Sequence, residues 1–277
     1  MVWLQFAVSA ALITLAGVKL AKYGDAIAYR TRLGGMFVGT LLMAGATSLP
    51  EILTMINAIR LNHVNLTAGD LFGSCMFNML LLGILDMAFF RRQVLRRVAL
   101  NHALTASLGT LLIGMVIFFI LAKLDLRISW LGLDSLVIII VYVAGIWLLR
   151  NNPGLATVAG KVPLVGQIPA VGQIPATEQA LAIQESVPSL RRAVIGFAIT
   201  AIILVAVTPQ MVHSATQIAD ITGLGDGFIG LILIAMVTSL PELVSGIAAV
   251  RVGAYDLAVG NLFGSNMFNM AVLGLAD

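Results

Sequence analysis

A long internal repeat limits the possible folds of this chain more than any other feature. Residues 39–86 align without a gap on residues 230–277, an offset of 191 positions, and 24 of the 48 aligned positions carry the same residue. The identical positions include TSLPE at 47–51 and 238–242. They also include the LFGS and MFNM segments that follow TSLPE within each copy. Chance agreement between apolar segments would not preserve proline, glutamate and asparagine together, so the two copies arose by duplication.

The composition indicates that both copies lie in a membrane. Of 277 residues, 60% are hydrophobic and 10% are charged, whereas soluble domains carry about a quarter charged residues. A membrane span needs roughly 20 predominantly apolar residues, and the apolar runs predict about eight spans. Their approximate bounds are 2–21, 35–59, 66–90, 100–122, 130–149, 193–209, 228–250 and 257–276. The predicted fold class is an all-α integral membrane protein, with the lipid bilayer as its surroundings.

The middle of the chain separates two halves. Residues 151–190 contain a tandem VGQIPA repeat and five prolines, which disfavour a spanning helix. We therefore expect a first transmembrane half at 1–150, a linker at 151–190 and a second half at 191–277. The linker has no acidic cluster, so we do not expect a calcium-sensing domain there.

Basic residues predict the orientation. With the amino terminus outside, 13 of the 16 Lys and Arg residues fall on the inner side, and only Arg60, Lys123 and Arg127 fall outside. This bias follows the positive-inside rule and predicts a cytoplasmic linker, in the cell or inner membrane of a prokaryote. Lys19 and Lys22 follow the first apolar run rather than precede it, so that run is expected to be a helix of the mature protein and not a cleavable signal peptide.

The repeat copies are predicted to lie inverted in the membrane. Each copy begins with the second helix of its half, and five spans separate corresponding helices, which is an odd number. Inverted repeats with interrupted helices are typical of secondary transporters, whose ion site lies at the repeat interface near the bilayer midplane. The topology therefore predicts one shared site between the copies.

The TSLPE motif predicts a cation site. Pro50 and Pro241 each leave the carbonyl four residues earlier without its helical hydrogen bond. Unpaired carbonyls in hydrocarbon cost several kcal/mol unless they line a cavity or bind an ion. Glu51 and Glu242 follow these prolines, and a carboxylate at the bilayer centre costs roughly 2.5–3.5 kcal/mol on insertion scales. Around a hard cation the same oxygens would form a favourable cage.

The second shared motif, GDLFGSCMFN at 69–78 and GNLFGSNMFN at 260–269, supplies further oxygens. Ser74 and Asn78 are four residues apart, as are Ser265 and Asn269, and this spacing places each pair on one helical face. Such residues also serve ordinary helix packing through interhelical hydrogen bonds. Their pairing with a glutamate in mid-span, twice, favours the cation site.

Both copies resemble the α-repeats of the cation/calcium exchanger superfamily, with motifs of the form GTSLPE and GNxxGSNxF, and within it the sodium/calcium exchangers. That family normally has ten spans. The resemblance implies calcium coordination by Glu51 and Glu242 with the carbonyls of Thr47 and Thr238. It implies sodium sites formed by Ala44, Ser48, Ser74, Asn78, Ala235, Ser239, Ser265 and Asn269. It also favours the first and sixth spans as the moving helices.

Three positions depart from the family pattern. Asp70 stands where asparagine is usual, although the second copy keeps Asn261. Cys75 replaces the asparagine kept as Asn266, and a thiol is a poor ligand for sodium or calcium, so we expect Cys75 to be a packing residue. Asn269 occupies a position where some members have aspartate, which predicts two central acidic residues. These departures bear on ion stoichiometry and potassium dependence.

The predicted function is a secondary active antiporter that exchanges sodium for calcium by alternating access. The alternative is a proton-coupled calcium/cation antiporter on the same scaffold, in which Glu51 and Glu242 take up protons. An enzyme is disfavoured, because no HExxH motif is present and His63, His102 and His213 have no carboxylate at ligand spacing in the sequence. A channel is also possible, but inverted broken helices favour alternating access. We expect no cofactor, no nucleic acid and no obligatory protein partner; calcium and sodium are the expected substrates.

Repeat symmetry also predicts helices that the sequence does not contain. The first half has two spans after its second motif, at 100–122 and 130–149. Adding the offset of 191 places their counterparts near 291–313 and 321–340, beyond residue 277. We therefore expect a longer form with ten spans, relative to which this sequence is truncated at its C-terminus. Without the missing pair, we expect the 277-residue form to be less stable or to transport weakly.

The basic-residue bias predicts which reagents reach each loop. In a Cys75→Ala background, single cysteines at Arg96 or within 165–176 should react with impermeant thiol reagents only from the cytoplasmic side. Cysteines placed near Lys123 or Asp220 should react only from outside, because the chain alternates across the bilayer. Side-specific labelling of oriented vesicles measures this, and labelling of the linker from outside would reverse the predicted topology.

Overall fold

A computed structural model of the chain describes residues 1–31, 44–90, 94–122, 127–128, 131–151, 188–251 and 255–275. The predicted linker is thus outside the described residues at 152–187, as is the start of the first repeat copy at 39–43. The helices of the described residues are α1 (Val2–Thr31), α2 (Leu49–Arg60), α3 (Val64–Ala88), α4 (Val94–Ala122), α5 (Leu133–Asn151), α6 (Leu190–Thr222), α7 (Asp226–Ile229), α8 (Ala235–Thr238), α9 (Leu240–Arg251) and α10 (Tyr255–Gly274). A π-helical segment, Gly230–Ile234, joins α7 to α8, and an antiparallel strand pair, β1 (Arg127–Ile128) and β2 (Leu131–Gly132), precedes α5.

The helices confirm an all-α membrane fold. Within the described residues, five stretches are long and apolar enough to cross a membrane: Val2–Gly24, Val64–Ala88, His102–Ala122, Leu190–Thr222 and Asp226–Arg251. Leu133–Leu149 is a shorter apolar helix, and α10 is a 20-residue helix. These correspond to seven of the predicted spans, and the remaining one, at 35–59, is described only from residue 44 onward.

The sixth predicted span, at 193–209, is too short. The helix α6 runs for 33 residues with Pro209 in its interior. Met211, Ala215 and Ile218, all beyond the proline, are fully buried in a core shared with α1. Packing of this C-terminal part against α1 therefore outweighs the interior proline, which costs about 3 kcal/mol or more.

The long helices α1 and α6 form one layer of the molecule. Ile13 and Leu20 of α1 and Leu204 of α6 are completely buried in their shared core. Leu15 and Ile202 of the same helices point outward, 63% and 67% exposed. Large apolar side chains on the outside match a lipid-facing surface.

The helix α3 of the first copy packs tightly on the second copy. A Cβ at Gly73 would collide with the carbonyl of Leu231 in the π-helical segment, and a Cβ at Gly230 would collide with the carbonyl of Leu66. Glycines on both sides thus let the two backbones touch, as small residues do in membrane helix pairs. This contact brings the second motif of one copy against the first motif of the other.

A second apolar cluster supports α3 from its other side. Leu71 and Cys75 of α3 pack with Leu112 of α4, Ile138 of α5 and Met267 of α10. Because α3 and α10 share this cluster, the two LFGS segments lie near each other in the middle of the bundle. The helix breaks of both TSLPE motifs face this region.

The glycine contact makes a stability prediction. Gly73→Ala should destabilise the protein by about 1–3 kcal/mol, because a Cβ there overpacks the interface with the π-helical segment. Gly83→Ala is the matched control on the same helix, since its Cβ would meet no atom of the described residues within 4 Å. The midpoint of thermal unfolding in detergent measures both variants. Equal midpoints for Gly73→Ala and the wild type would contradict the close packing.

Candidate functional site

Both TSLPE motifs interrupt their helices at the serine. In the first copy α2 begins after Ser48, whose φ and ψ are −84° and 8°. In the second copy α8 ends before Ser239, whose φ and ψ are −84° and −1°, and α9 follows. Pro50 and Pro241 are the second residues of the new helices. Because proline has no N–H, each leaves the carbonyl four residues earlier without a helical donor. The predicted interruption is confirmed in both copies.

The two predicted glutamates lie in the first turns of the new helices. Glu51 of α2 is 1% exposed and Glu242 of α9 is fully buried. The two carboxyl groups are close enough to interact electrostatically. The positive end of a helix dipole favours a negative charge in its first turn, so each helix break both places and partly stabilises its carboxylate.

Hydroxyl groups connect the two copies around these carboxylates. Ser48 Oγ donates to Ser265 Oγ at 3.2 Å, and Ser265 Oγ donates to Glu242 Oε1 at 3.3 Å. The hydroxyls of Ser74 and Thr238 lie 3.2 Å apart. The first motif of each copy therefore contacts the second motif of the other copy.

The structure buries all the predicted site residues. The twelve residues, each at most 1% exposed, are Ala44, Thr47, Ser48, Glu51, Ser74, Asn78, Ala235, Thr238, Ser239, Glu242, Ser265 and Asn269. The carbonyls of Ala44 and Ala235 accept from the backbone N–H groups of Ser48 and Ser239. The side chain of Asn78 is hydrogen-bonded to the second copy, whereas the side-chain amide of Asn269 has no hydrogen bond to any described residue.

Several buried oxygens at this site lack a partner. Within the described ranges, Glu51 Oε2, Glu242 Oε2, Ser239 Oγ, Asn78 Oδ1 and Asn269 Oδ1 make no hydrogen bond. Buried polar atoms are nearly always paired, so a concentration of unpaired oxygens indicates a ligand. Oxygen donors of this kind suit hard cations such as calcium and sodium.

Carboxylates alone do not make this site. Among the residues that the structure describes, no three His, Cys, Asp or Glu side chains are arranged to hold a metal ion. Calcium takes about 6–8 oxygen ligands, so hydroxyl, amide and backbone oxygens would have to complete any coordination shell. The hydroxyl and amide groups described above are placed to do so.

Asp70 is a buried carboxyl next to the candidate site that the sequence prediction did not include among the site residues. It is fully buried, its Oδ1 accepts from Thr238 Oγ1 at 3.1 Å, and it interacts electrostatically with both Glu51 and Glu242. A third buried carboxyl thus lies beside the two glutamates that the sequence predicted as the central acidic residues. The departure of Asp70 from the family asparagine was the available signal, but only the packing of α3 shows that this carboxyl reaches the centre.

Cys75, which stands where the family has asparagine, changes the hydrogen bonding between the two copies. Asn78 Nδ2 donates to Asn266 Oδ1 at 2.9 Å, and Asn266 Nδ2 donates to the carbonyl of Cys75 at 3.4 Å. By repeat symmetry, the residue placed to pair with Asn269 is Cys75, which has no amide. This explains why the Asn269 amide has no partner in the described part of the chain. Cys75 itself is 4% exposed in an apolar cluster, which confirms it as a packing residue.

Two histidines lie beside carboxylates that are distant in the sequence. His63 Nδ1 is 2.6 Å from Asp226 Oδ2, and His102 Nε2 is 3.4 Å from Asp256 Oδ1. The sequence could not indicate these pairs because each joins residues more than 150 positions apart. His63 directly precedes α3, whereas His102 lies within α4. Neither pair has a third metal ligand among the described residues.

Comparison with known proteins identifies relatives along most of the chain. Residues 1–150 and 192–276 match the family described as sodium/calcium exchanger protein. Inner membrane protein YrbG of Escherichia coli K12 is 32% identical over 247 residues, which cover 87% of this chain and 68% of YrbG. Sodium/calcium exchanger MaX1 of Methanosarcina acetivorans is 42% identical over 66 residues, covering 24% of this chain and 19% of MaX1.

Two solved structures share the fold. The H⁺/Ca²⁺ exchanger CAX superposes with a TM-score of 0.69 at 16% identity, covering 99% of this chain and 66% of CAX. The sodium-calcium exchanger NCX_Mj, soaked with sodium and strontium, superposes with a TM-score of 0.54 at 23% identity, covering 98% of this chain and 80% of NCX_Mj. The chain thus spans about two thirds of the length of YrbG and CAX, 68% and 66%. With the family match over both halves, this integral membrane chain belongs to the sodium/calcium exchanger protein family.

Proposed function

We propose that the protein is a secondary antiporter that exchanges sodium for calcium across a prokaryotic cell membrane by alternating access. The observation that carries this proposal is the pair of buried glutamates, one from each repeat copy, whose Oε2 atoms are unpaired among the described residues. A permanently empty arrangement of this kind would be costly in hydrocarbon. A transported cation that binds and leaves accounts for it.

Calcium is the substrate that balances the two glutamates. Glu51 and Glu242 together carry two negative charges, which one divalent cation neutralises. If each carboxylate binds through both oxygens and the carbonyls of Thr47 and Thr238 also bind, the ion has roughly six oxygen ligands, within the usual range for calcium. Both threonines are fully buried directly before the helix breaks.

Sodium competes for overlapping oxygens. The proposed sodium ligands are the remaining buried polar groups of the two motifs: Ala44, Ser48, Ser74, Asn78, Ala235, Ser239, Ser265 and Asn269. More than one sodium ion must bind to balance the charge that one calcium ion balances. Because the same hydroxyls link the two copies, occupation of these shared oxygens by one ion type excludes the other from them, which is the requirement for exchange.

The α1–α6 layer is the proposed moving part. A Cβ at Gly17 of α1 would lie 2.6 Å from Cγ of Pro241 and 3.6 Å from Cγ of Pro50, so α1 crosses both helix breaks at close range. The α1–α6 core is made of apolar side chains, which have no hydrogen bonds to break when the layer slides. Such a movement would open the cluster to one side of the membrane at a time.

Proton coupling is the second candidate. The fold superposes on the H⁺/Ca²⁺ exchanger CAX with a TM-score of 0.69, against 0.54 for NCX_Mj. In that case Glu51 and Glu242 would exchange calcium for protons. We favour sodium because the polar side chains around the carboxylates are hydroxyls and amides of the kind that coordinate sodium.

The proposal predicts the effect of removing one carboxylate. Glu51→Gln and Glu242→Gln should each abolish calcium exchange, at least a ~100-fold loss of rate, because a single buried charge cannot balance calcium. Asn78→Ala should chiefly weaken the dependence on sodium. Radioactive calcium flux into proteoliposomes with imposed sodium, proton or potassium gradients measures all three.

The control is Asp220→Asn, which removes one negative charge from an exposed position of α6 and should transport like the wild type. Normal calcium transport by Glu242→Gln would refute the shared two-glutamate site. Calcium uptake driven by a proton gradient without sodium would show that protons, and not sodium, are the coupling ion.

A further inference from the structure

The first repeat copy carries two polar groups that the proposed exchange does not use. Thr67 and Asp70 lie on α3 at i and i+3, so they face the same side of the helix, with their Cβ atoms about 5–6 Å apart. Ser74 continues this face one turn later. Thr67 and Asp70 are both fully buried.

The hydroxyl of Thr67 differs from those of the other buried threonines among the described residues, which all form hydrogen bonds. Thr54 donates to the carbonyl of Pro50 at 2.9 Å, and Thr208 donates to that of Leu204 at 2.7 Å, which is the usual arrangement in a helix. Thr67 Oγ1 makes no such bond, nor any other within the described ranges. A free hydroxyl oxygen therefore remains one turn from the Asp70 carboxylate.

Asp70 presents one oxygen in the same way. Its Oδ1 accepts from Thr238, while its Oδ2 has no partner in the described part of the chain. No basic side chain of the described residues forms an ion pair with it. The carboxylate and the hydroxyl thus each direct an unpaired oxygen into the buried interior.

The second copy lacks this pair. The counterparts of Thr67 and Asp70, at an offset of 191, are Ala258 and Asn261. Ala258 has no hydroxyl, and Asn261 donates to Ser245 Oγ at 3.3 Å. Asn261 Oδ1 is also buried and unpaired among the described residues, but it is an uncharged amide oxygen, so only the first copy offers a carboxylate with a hydroxyl one turn away.

Charge counting gives these oxygens a use. One calcium ion balances Glu51 and Glu242, so Asp70, when ionised, would be left as a single uncompensated charge in the bundle. An isolated buried charge costs several kcal/mol. A monovalent cation bound to the free oxygens would neutralise it.

We propose that Asp70 and Thr67 form a separate monovalent-cation site that holds sodium while calcium occupies the glutamate pair. Asp70 Oδ2 and Thr67 Oγ1 are its side-chain ligands. The inference rests on the proposed function for its charge count, because it takes the two glutamates to be balanced by calcium. Its consequence is that the calcium-loaded protein still carries one sodium ion, on the side of the first copy.

Equilibrium binding of radioactive sodium to the purified full chain, at saturating unlabelled calcium, tests this site. The wild type should retain calcium-resistant sodium. Asp70→Asn should reduce that retained sodium by at least ~10-fold, a change of about 1.4 kcal/mol, and Thr67→Ala should weaken it several-fold. Asp86→Asn, at the end of the same helix where Asp86 Oδ1 accepts from the Leu95 N–H, should bind sodium like the wild type.

Radioactive calcium binding, measured in parallel, separates this inference from the proposed function. Calcium binding by Asp70→Asn would show that the variant is folded. If the wild type binds calcium but retains no sodium, or if Asp70→Asn retains as much as the wild type, the separate site is wrong while the exchange proposal stands. If the wild type retains Asp70-dependent sodium but binds no calcium, the exchange proposal fails instead and the sodium site remains.

Discussion

Burial of Glu51 and Glu242 in the middle of an apolar bundle is the constraint on which the other features of the site depend. Neither carboxylate is paired with a basic side chain of the described residues, so helix ends, hydroxyls and a bound ion must supply the stabilisation. The breaks at Ser48 and Ser239 place each glutamate in the first turn of a new helix. Proline produces each break and so places a glutamate at a helix start, where its charge is favoured. Glycine allows the close approach of the partner copy. Both shared motifs therefore serve the burial of the two charges.

Duplication gave the site two similar halves, and single substitutions made them unequal. Cys75 leaves the Asn269 amide without the partner that Asn78 finds in Asn266. Asp70 adds a third carboxyl on the side of the first copy, where it holds Thr238. Both changes lie on α3 and affect which polar side-chain atoms are free. The inequality therefore bears on ion stoichiometry rather than on the fold.

The sequence predicted the features that depend on local pattern. The interruption at Pro50 follows from backbone chemistry, and burial of the shared polar residues follows from their place in apolar spans. It failed where distant packing decides the outcome. The helix α6 continues through Pro209 because α1 covers its far end. Asp70 reaches the carboxylates, and His63 meets Asp226, only through contacts between residues more than 160 positions apart.

Direct location of the ion tests the central claim, that carboxylates from both repeat copies share one divalent cation. A crystal structure of the protein with strontium, which has strong anomalous scattering and chemistry close to that of calcium, would give its position without interpretation of ligand geometry. We predict a single anomalous peak between Glu51 and Glu242, within about 2.3–2.7 Å of oxygens from both. A peak bound by one copy alone, or no peak at strontium concentrations that block calcium flux, would contradict the shared site.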